Sequence, residues 1–258
     1  MKFSFKACLL AIAALFLISC TSPLLTYYDV DKIGASEYAI ILDEATDDGI
    51  LNSNKALGDR VKAISAKLID KAMEFKEQSK SWPWQVNVIN NDTVNALCLP
   101  GGRIVVYAGL IEKLSLTDDE LAFVIAHEMS HALLEHRRQI LNQDILERNF
   151  ISFEDLDETL HKELLNGHKS TDRALHMSTD FVQMEAECDR LGLYLMFKAG
   201  FDGSAASVFW HKMLSIDAKK RDARATHPKD GDRAAALEIF TSKLKSEPDL
   251  KLSMDDFK

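Results

Sequence analysis

Thr117-Asp118-Asp119-Glu120-Leu121-Ala122-Phe123-Val124-Ile125-Ala126-His127-Glu128-Met129-Ser130-His131 is the stretch on which the reading of this chain turns. It opens with a Thr three residues before a Glu, the pairing in which hydroxyl and carboxylate each satisfy the other residue's backbone amide at a helix start. Six apolar residues follow, so the helix belongs inside the protein. At about 100° per residue, His127 and His131 fall on one face, one turn apart, where both imidazoles reach the same point. Glu128 sits beside that face, placed to handle a proton without ligating. A buried helix has no cheap reason to carry these groups, because an unpartnered buried polar group costs about 1–3 kcal/mol. The pattern is that of a divalent-metal site, with zinc, one ion per chain, the metal it suits.

Two imidazoles do not complete such a site. The downstream positions that would supply a Gly and a third His hold Leu134 and Arg137. A carboxylate from another helix is the alternative, and Met184-Glu185-Ala186-Glu187-Cys188-Asp189-Arg190-Leu191-Gly192 is the candidate. Glu185 and Asp189 share a face at i,i+4, while Glu187 points elsewhere. This assigns Glu185 to the metal and Asp189 to a supporting place, orienting a His ring. Glu187 reads as solvated or salt-bridged. Two His and one carboxylate leave a fourth position for water, the catalytic form of a zinc site, with Glu128 as proton acceptor.

Outward from this centre, 258 residues at 47% apolar and 28% charged suffice for a real core and exclude disorder and a disulfide-stapled miniprotein. The 31 basic against 40 acidic residues give a net charge of −9, without the basic excess of a nucleic-acid binder. Apolar spacing predicts helices over 36–46 and 55–80. Residues 85–89, 93–99 and 103–107 read as strands, with Pro100-Gly101-Gly102 as a turn. From Gly109 onward nearly everything reads as helix. The expected fold is therefore α+β and predominantly helical, a single domain over 37–258 with a small sheet and an edge strand near the active-site helix.

The N-terminus reads as an address. Lys2 and Lys6 precede a charge-free apolar run too short to cross a bilayer, so residues 1–19 fit a signal peptide. Leu17-Ile18-Ser19-Cys20 resembles a bacterial lipobox, which makes Cys20 the acylation site and 20–36 a tether. Thr21 follows rather than an Asp, and this resemblance favours a periplasm-facing anchor in the outer membrane. Cys98 and Cys188 are left as two buried thiols or one disulfide.

Four segments resemble the gluzincin zinc metallopeptidases of the HtpX and CaaX-prenyl-protease type, in their periplasmic lipoprotein branch (LoiP- and YcaL-like). They are Asn95–Gly102, the 127–131 helix, Glu185 to Asp189, and Thr226-His227-Pro228 with Arg233. Cys188 departs from the usual Ala and Cys98 from a small residue. The resemblance implies a metal-binding Glu four residues before the Asp, and nominates His227 and Arg233 on the oxyanion side, with His227 alternatively a gate over the metal. It implies a metalloendopeptidase acting on polypeptides. Strand addition at 93–99 would select unfolded or misassembled envelope proteins. The competing reading is a chaperone-like assembly factor whose groove matters more than hydrolysis. His136, His161, His168, His176 and His211 read as surface or helix-end residues. The polar stretch 142–180 is a lid or a connecting helical pair.

Overall fold

The computed structural model describes residues 24–148, 156, 158–159, 179–215 and 230–257. The expected signal peptide and lipidation site, His161, His168, His176, His227 and most of 142–180 lie outside them.

The chain starts with helix α1 (Tyr27–Asp47), then α2 (Lys55–Phe75) and a 3-10 turn at Glu77–Ser81. Strands β1 (Gln85–Ile89), β2 (Ala96–Leu99) and β3 (Arg103–Tyr107) follow. Helices α3 (Ala108–Lys113), α4 (Asp118–Leu133), α5 (His136–Arg148), α6 (Thr179–Lys198), α7 (Ala205–Ser215) and α8 (Asp230–Ser246) complete the described elements, with a second 3-10 turn at Met254–Asp256. The predominantly helical α+β fold is the expected one.

Two helix boundaries differ from the sequence expectation. Helix α1 begins at Tyr27, so residues 27–36 of the expected tether are helical. Thr26 Oγ1 accepts the Asp29 amide at 3.3 Å while Asp29 Oδ2 accepts the Thr26 amide at 2.8 Å, which closes the helix start. Tyr27 stacks on Trp82 with centroids 6.0 Å apart, and Asp31 pairs with Arg103 at 2.7 Å. Farther along, the buried Glu37 carboxylate accepts a hydrogen bond from Arg137. The segment is strapped to the body by these contacts. Helix α2 stops at Phe75 because Lys76 turns extended, with φ −125° and ψ 104°.

The sheet has the order β1-β3-β2, with β1 parallel and β2 antiparallel to β3. Central β3 is buried along Arg103–Val106. Strand β2 is the expected edge strand, shorter than read because its ladder begins at Ala96. The β2–β3 turn needs glycine: Gly101 and Gly102 take φ of 81° and 76°, and a Cβ on Gly102 would lie 2.4 Å from the Trp84 ring.

Helix α4 runs through the core. Leu121 to His127, Met129, Ser130, Ala132 and Leu133 are buried, leaving Glu128 and His131 partly exposed. It packs against α6, β2, α2 and α7. The α4–α6 approach depends on Gly192, where a Cβ would stand 2.8 Å from the His127 amide nitrogen and 2.9 Å from its Cα. Backbone atoms cannot swing aside as a side-chain tip does. Gly192→Ala is therefore expected to cost about 1–3 kcal/mol by overpacking, more than the roughly 1 kcal/mol that Ala gains in helix propensity. Thermal melts and zinc competition on that variant would show lower stability and weaker metal binding together.

Candidate active site

The capping box that starts α4 is formed as the sequence suggests. Glu120 Oε2 accepts the Thr117 amide at 2.7 Å and Thr117 Oγ1 accepts the Glu120 amide at 3.3 Å. Two turns on, the imidazoles of His127 and His131 meet Glu185 from α6. His127 Nε2 and His131 Nε2 are 3.3 Å apart, His127 Nε2 lies 3.4 Å from Glu185 Oε2, and His131 Nε2 lies 3.3 Å from Glu185 Oε1.

This triangle fits a metal better than a hydrogen-bond network. Zinc bonds of about 2.0–2.1 Å at tetrahedral angles place neighbouring donors about 3.3–3.4 Å apart. All three sides have that length, and the donor set of two imidazoles and a carboxylate suits zinc. A neutral imidazole needs its lone pair on the metal and its hydrogen elsewhere. His127 meets that condition, since its Nδ1 faces Asp189 Oδ1 at 3.1 Å.

Asp189 is in turn held by Arg233 from α8, with Nε to Oδ2 at 2.6 Å and Nη2 to Oδ1 at 2.7 Å. Arg233 Nη1 lies 3.1 Å from Glu185 Oε2, and the guanidinium carbon stands 3.6 Å from the Trp210 ring centroid. Burial opposes the Asp189 charge, but the His127 hydrogen bond and Arg233 hold its carboxyl below the usual range. The sequence nomination of Arg233 for the oxyanion side meets a different placement: its guanidinium is buried and committed to two carboxylates. Asp189, by contrast, sits where the helical-face argument put it.

Burial is the largest influence on His127 and resists its charging, yet hydrogen bonds and charges from Asp189 and Glu185 push its pKa up to about 10. In the metal-free protein this raised value stabilises the fold fully below the unfolded pKa of about 6.5. The contribution disappears as pH rises through about 10. Zinc takes the place of that proton. Calorimetry in buffers of different ionisation enthalpy is expected to show about one proton released per zinc at pH 7. Release of none would contradict the assignment.

Sequence reasoning missed His136. It is 1% exposed, with Nδ1 3.1 Å from His131 Nδ1 and Nε2 3.1 Å from Glu187 Oε2. Burial first, then the neighbouring His131, lowers its pKa to about 3. The surface or helix-end reading is thus corrected: His136 does begin a helix, but inside the protein. Glu187 is buried and paired rather than solvated. His211 is exposed, as read. Cys98 and Cys188 are buried free thiols, so the disulfide alternative does not hold. Burial and then the charge of Glu128 push the Cys98 thiol up.

A model of peptidase family M48 matches residues 57–240, a span that takes in both metal-facing helices and strand β2. The chain belongs to peptidase family M48. M48 peptidases are zinc-dependent gluzincins, which agrees with the donor set. The mitochondrial metalloendopeptidase OMA1 of Arabidopsis thaliana is 32% identical over 198 residues, covering 76% of this chain and 39% of that protein. The Homo sapiens metalloendopeptidase OMA1 is 28% identical over 60% of this chain and 32% of its own length. The β-barrel assembly-enhancing protease of Escherichia coli K12 is 25% identical over 76% of this chain and 41% of its own. The chain spans less than half the length of each of these relatives. Among the described residues, no helix is long and apolar enough to cross a membrane.

Proposed function

We propose that this M48 chain is a zinc metalloendopeptidase of the bacterial envelope, in which His127, His131 and Glu185 hold one zinc ion and Glu128 is the general base. The observation that carries the reading is the triangle of donors with sides of 3.3, 3.4 and 3.3 Å. Zinc bound there supplies Lewis acidity toward a carbonyl oxygen and acidifies water.

The chain's own residues supply the rest. Glu128 and His131 are the partly exposed points of an otherwise buried stretch of α4, so solvent and substrate reach the site along that side. The Glu128 carboxylate takes a proton from the attacking water and returns it to the leaving amine. Asp189 and Arg233 fix the His127 ring from behind. His227, outside the described residues, is retained as the oxyanion donor or as a gate over the metal.

The outer edge of β2 supports substrate binding by strand addition, in which backbone hydrogen bonds give affinity and side-chain pockets give selectivity. Only an extended chain docks that way, which suits unfolded or misassembled polypeptides. The envelope placement draws on the lipobox-like Leu17-Ile18-Ser19-Cys20 and on the E. coli relative, whose name ties it to β-barrel assembly. On this reading Cys20 carries the acyl anchor, the chain faces the periplasm from the outer membrane, and its kin are the lipoprotein members of the family.

The test is digestion of a casein-type unfolded protein by the chain lacking residues 1–19. Cleavage is expected with one zinc per chain, abolished by a chelator and restored by zinc. Equal cleavage of the same protein by chelated and metal-loaded samples would overturn the proposal.

A further inference from the structure

We infer that Glu187 and His136 form a hydrogen-bond relay that sets the tautomer of His131, directing the lone pair of its Nε2 at the zinc. The inference deepens the proposed zinc site and rests on that reading. It follows from counting hydrogens along three contacts. Glu187 Oε2 lies 3.1 Å from His136 Nε2, and its other oxygen accepts from Gln183 Nε2 at 2.7 Å. A carboxylate oxygen accepts, so the His136 hydrogen sits on Nε2. Nδ1 of His136 then carries a lone pair and faces Nδ1 of His131 at 3.1 Å. Two facing nitrogens at that distance share one hydrogen, and it belongs to His131. That leaves His131 Nε2 free of hydrogen where it meets His127 Nε2 and Glu185 Oε1.

The contact is built by a break in the helix. Residues five apart on a continuous α-helix point about 140° apart and do not touch. Here α4 ends at Leu133 and Glu135 adopts φ 60°, the left-handed region that costs a non-glycine residue about 1–2 kcal/mol. Lys76 Nζ holds the turn, donating to Leu133 O at 2.7 Å and to Glu135 Oε1 at 2.8 Å. The turn swings His136 back under the His131 ring. His127 has Asp189 and Arg233 behind it, and His131 has His136 and Glu187. His136 is thus a positioning residue, acting only through His131.

Cys188 offers a rival use of the same atoms. Its Sγ lies 3.4 Å from His136 Nδ1, and His131, His136 and Cys188 form a set able to hold a second ion. Such an ion would remove the shared hydrogen. His136 Nδ1 has a single lone pair, and the relay gives it to the shorter contact with His131, which leaves the Cys188 thiol beside the relay and outside it.

The test is long-range ¹H–¹⁵N correlation on the zinc-loaded wild-type chain labelled at histidine. Expected are a hydrogen on His131 Nδ1, a metal-shifted His131 Nε2, and a hydrogen on His136 Nε2. In competition with a chromogenic chelator, His136→Leu is expected to lose 10–100-fold in zinc affinity. His136→Gln, which presents both a donor and an acceptor, should recover most of it. The wild-type spectrum decides even if the Leu variant fails to fold. A hydrogen on His136 Nδ1, a folded Leu variant with unchanged affinity, or a second zinc equivalent abolished by Cys188→Ala would overturn the relay. Failure of wild-type protein to bind zinc would sink the proposed function instead.

Discussion

Glu128→Gln keeps one zinc per chain and lowers kcat/KM on an unfolded protein by about 10²–10⁴-fold, the range in which a positioned general base contributes. The metal-facing atoms belong to His127, His131 and Glu185, none of which this substitution touches. An amide of the same shape preserves the side-chain volume but cannot take up a proton. The two readings of the chain separate here: hydrolysis needs the carboxylate, whereas a peptide-holding assembly factor does not. A variant that still rescued a deletion strain fully would favour the assembly factor. A variant that lost its zinc would show that Glu128 supports the ligands rather than the reaction.

Arg233→Met is expected to destabilise the metal-free chain by about 3–5 kcal/mol, because it strips the shared cation from two buried carboxylates. The Asp189 and Glu185 side chains are 5% and 2% exposed, too dry for water to replace the guanidinium. For a chain of this size the loss corresponds to a fall in Tm of roughly 6–20 °C. Met preserves much of the volume against Trp210, so the charge is what changes. Zinc offsets part of the loss by neutralising Glu185, and the deficit is therefore larger in the metal-free protein than in the loaded one. Melting curves of both forms check the sign. Equal deficits would mean that Arg233 acts through packing alone. A normal Tm with a large fall in kcat would return it to the oxyanion role that the resemblance suggested.

The site was legible where helical periodicity governs. His127 and His131 meet because they lie one turn apart, and Glu185 and Asp189 share a face for the same reason. The capping box at Thr117 set the start of that helix within a residue. What escaped depended on a break in the period. His136 joins the site through the left-handed turn at Glu135, a conformation no apolar pattern announces. Glu187 lies on a different helical face from Glu185, and α5 covers that face with His136. Arg233 does lie beside the metal-facing groups, but its grip on Asp189 depends on the packing of α8 on α6, which no spacing within the chain announces. The helical start at Thr26 has a local signal in the sequence: Thr26 and Asp29 repeat, in shorter form, the pattern of Thr117 and Glu120.

The decisive measurement is anomalous diffraction at the zinc edge from crystals of the metal-loaded chain. One strong peak is expected about 2.0–2.1 Å from Nε2 of His127, Nε2 of His131 and the nearer Glu185 carboxylate oxygen. A peak bonded to Cys188, or none between these three side chains, would contradict it.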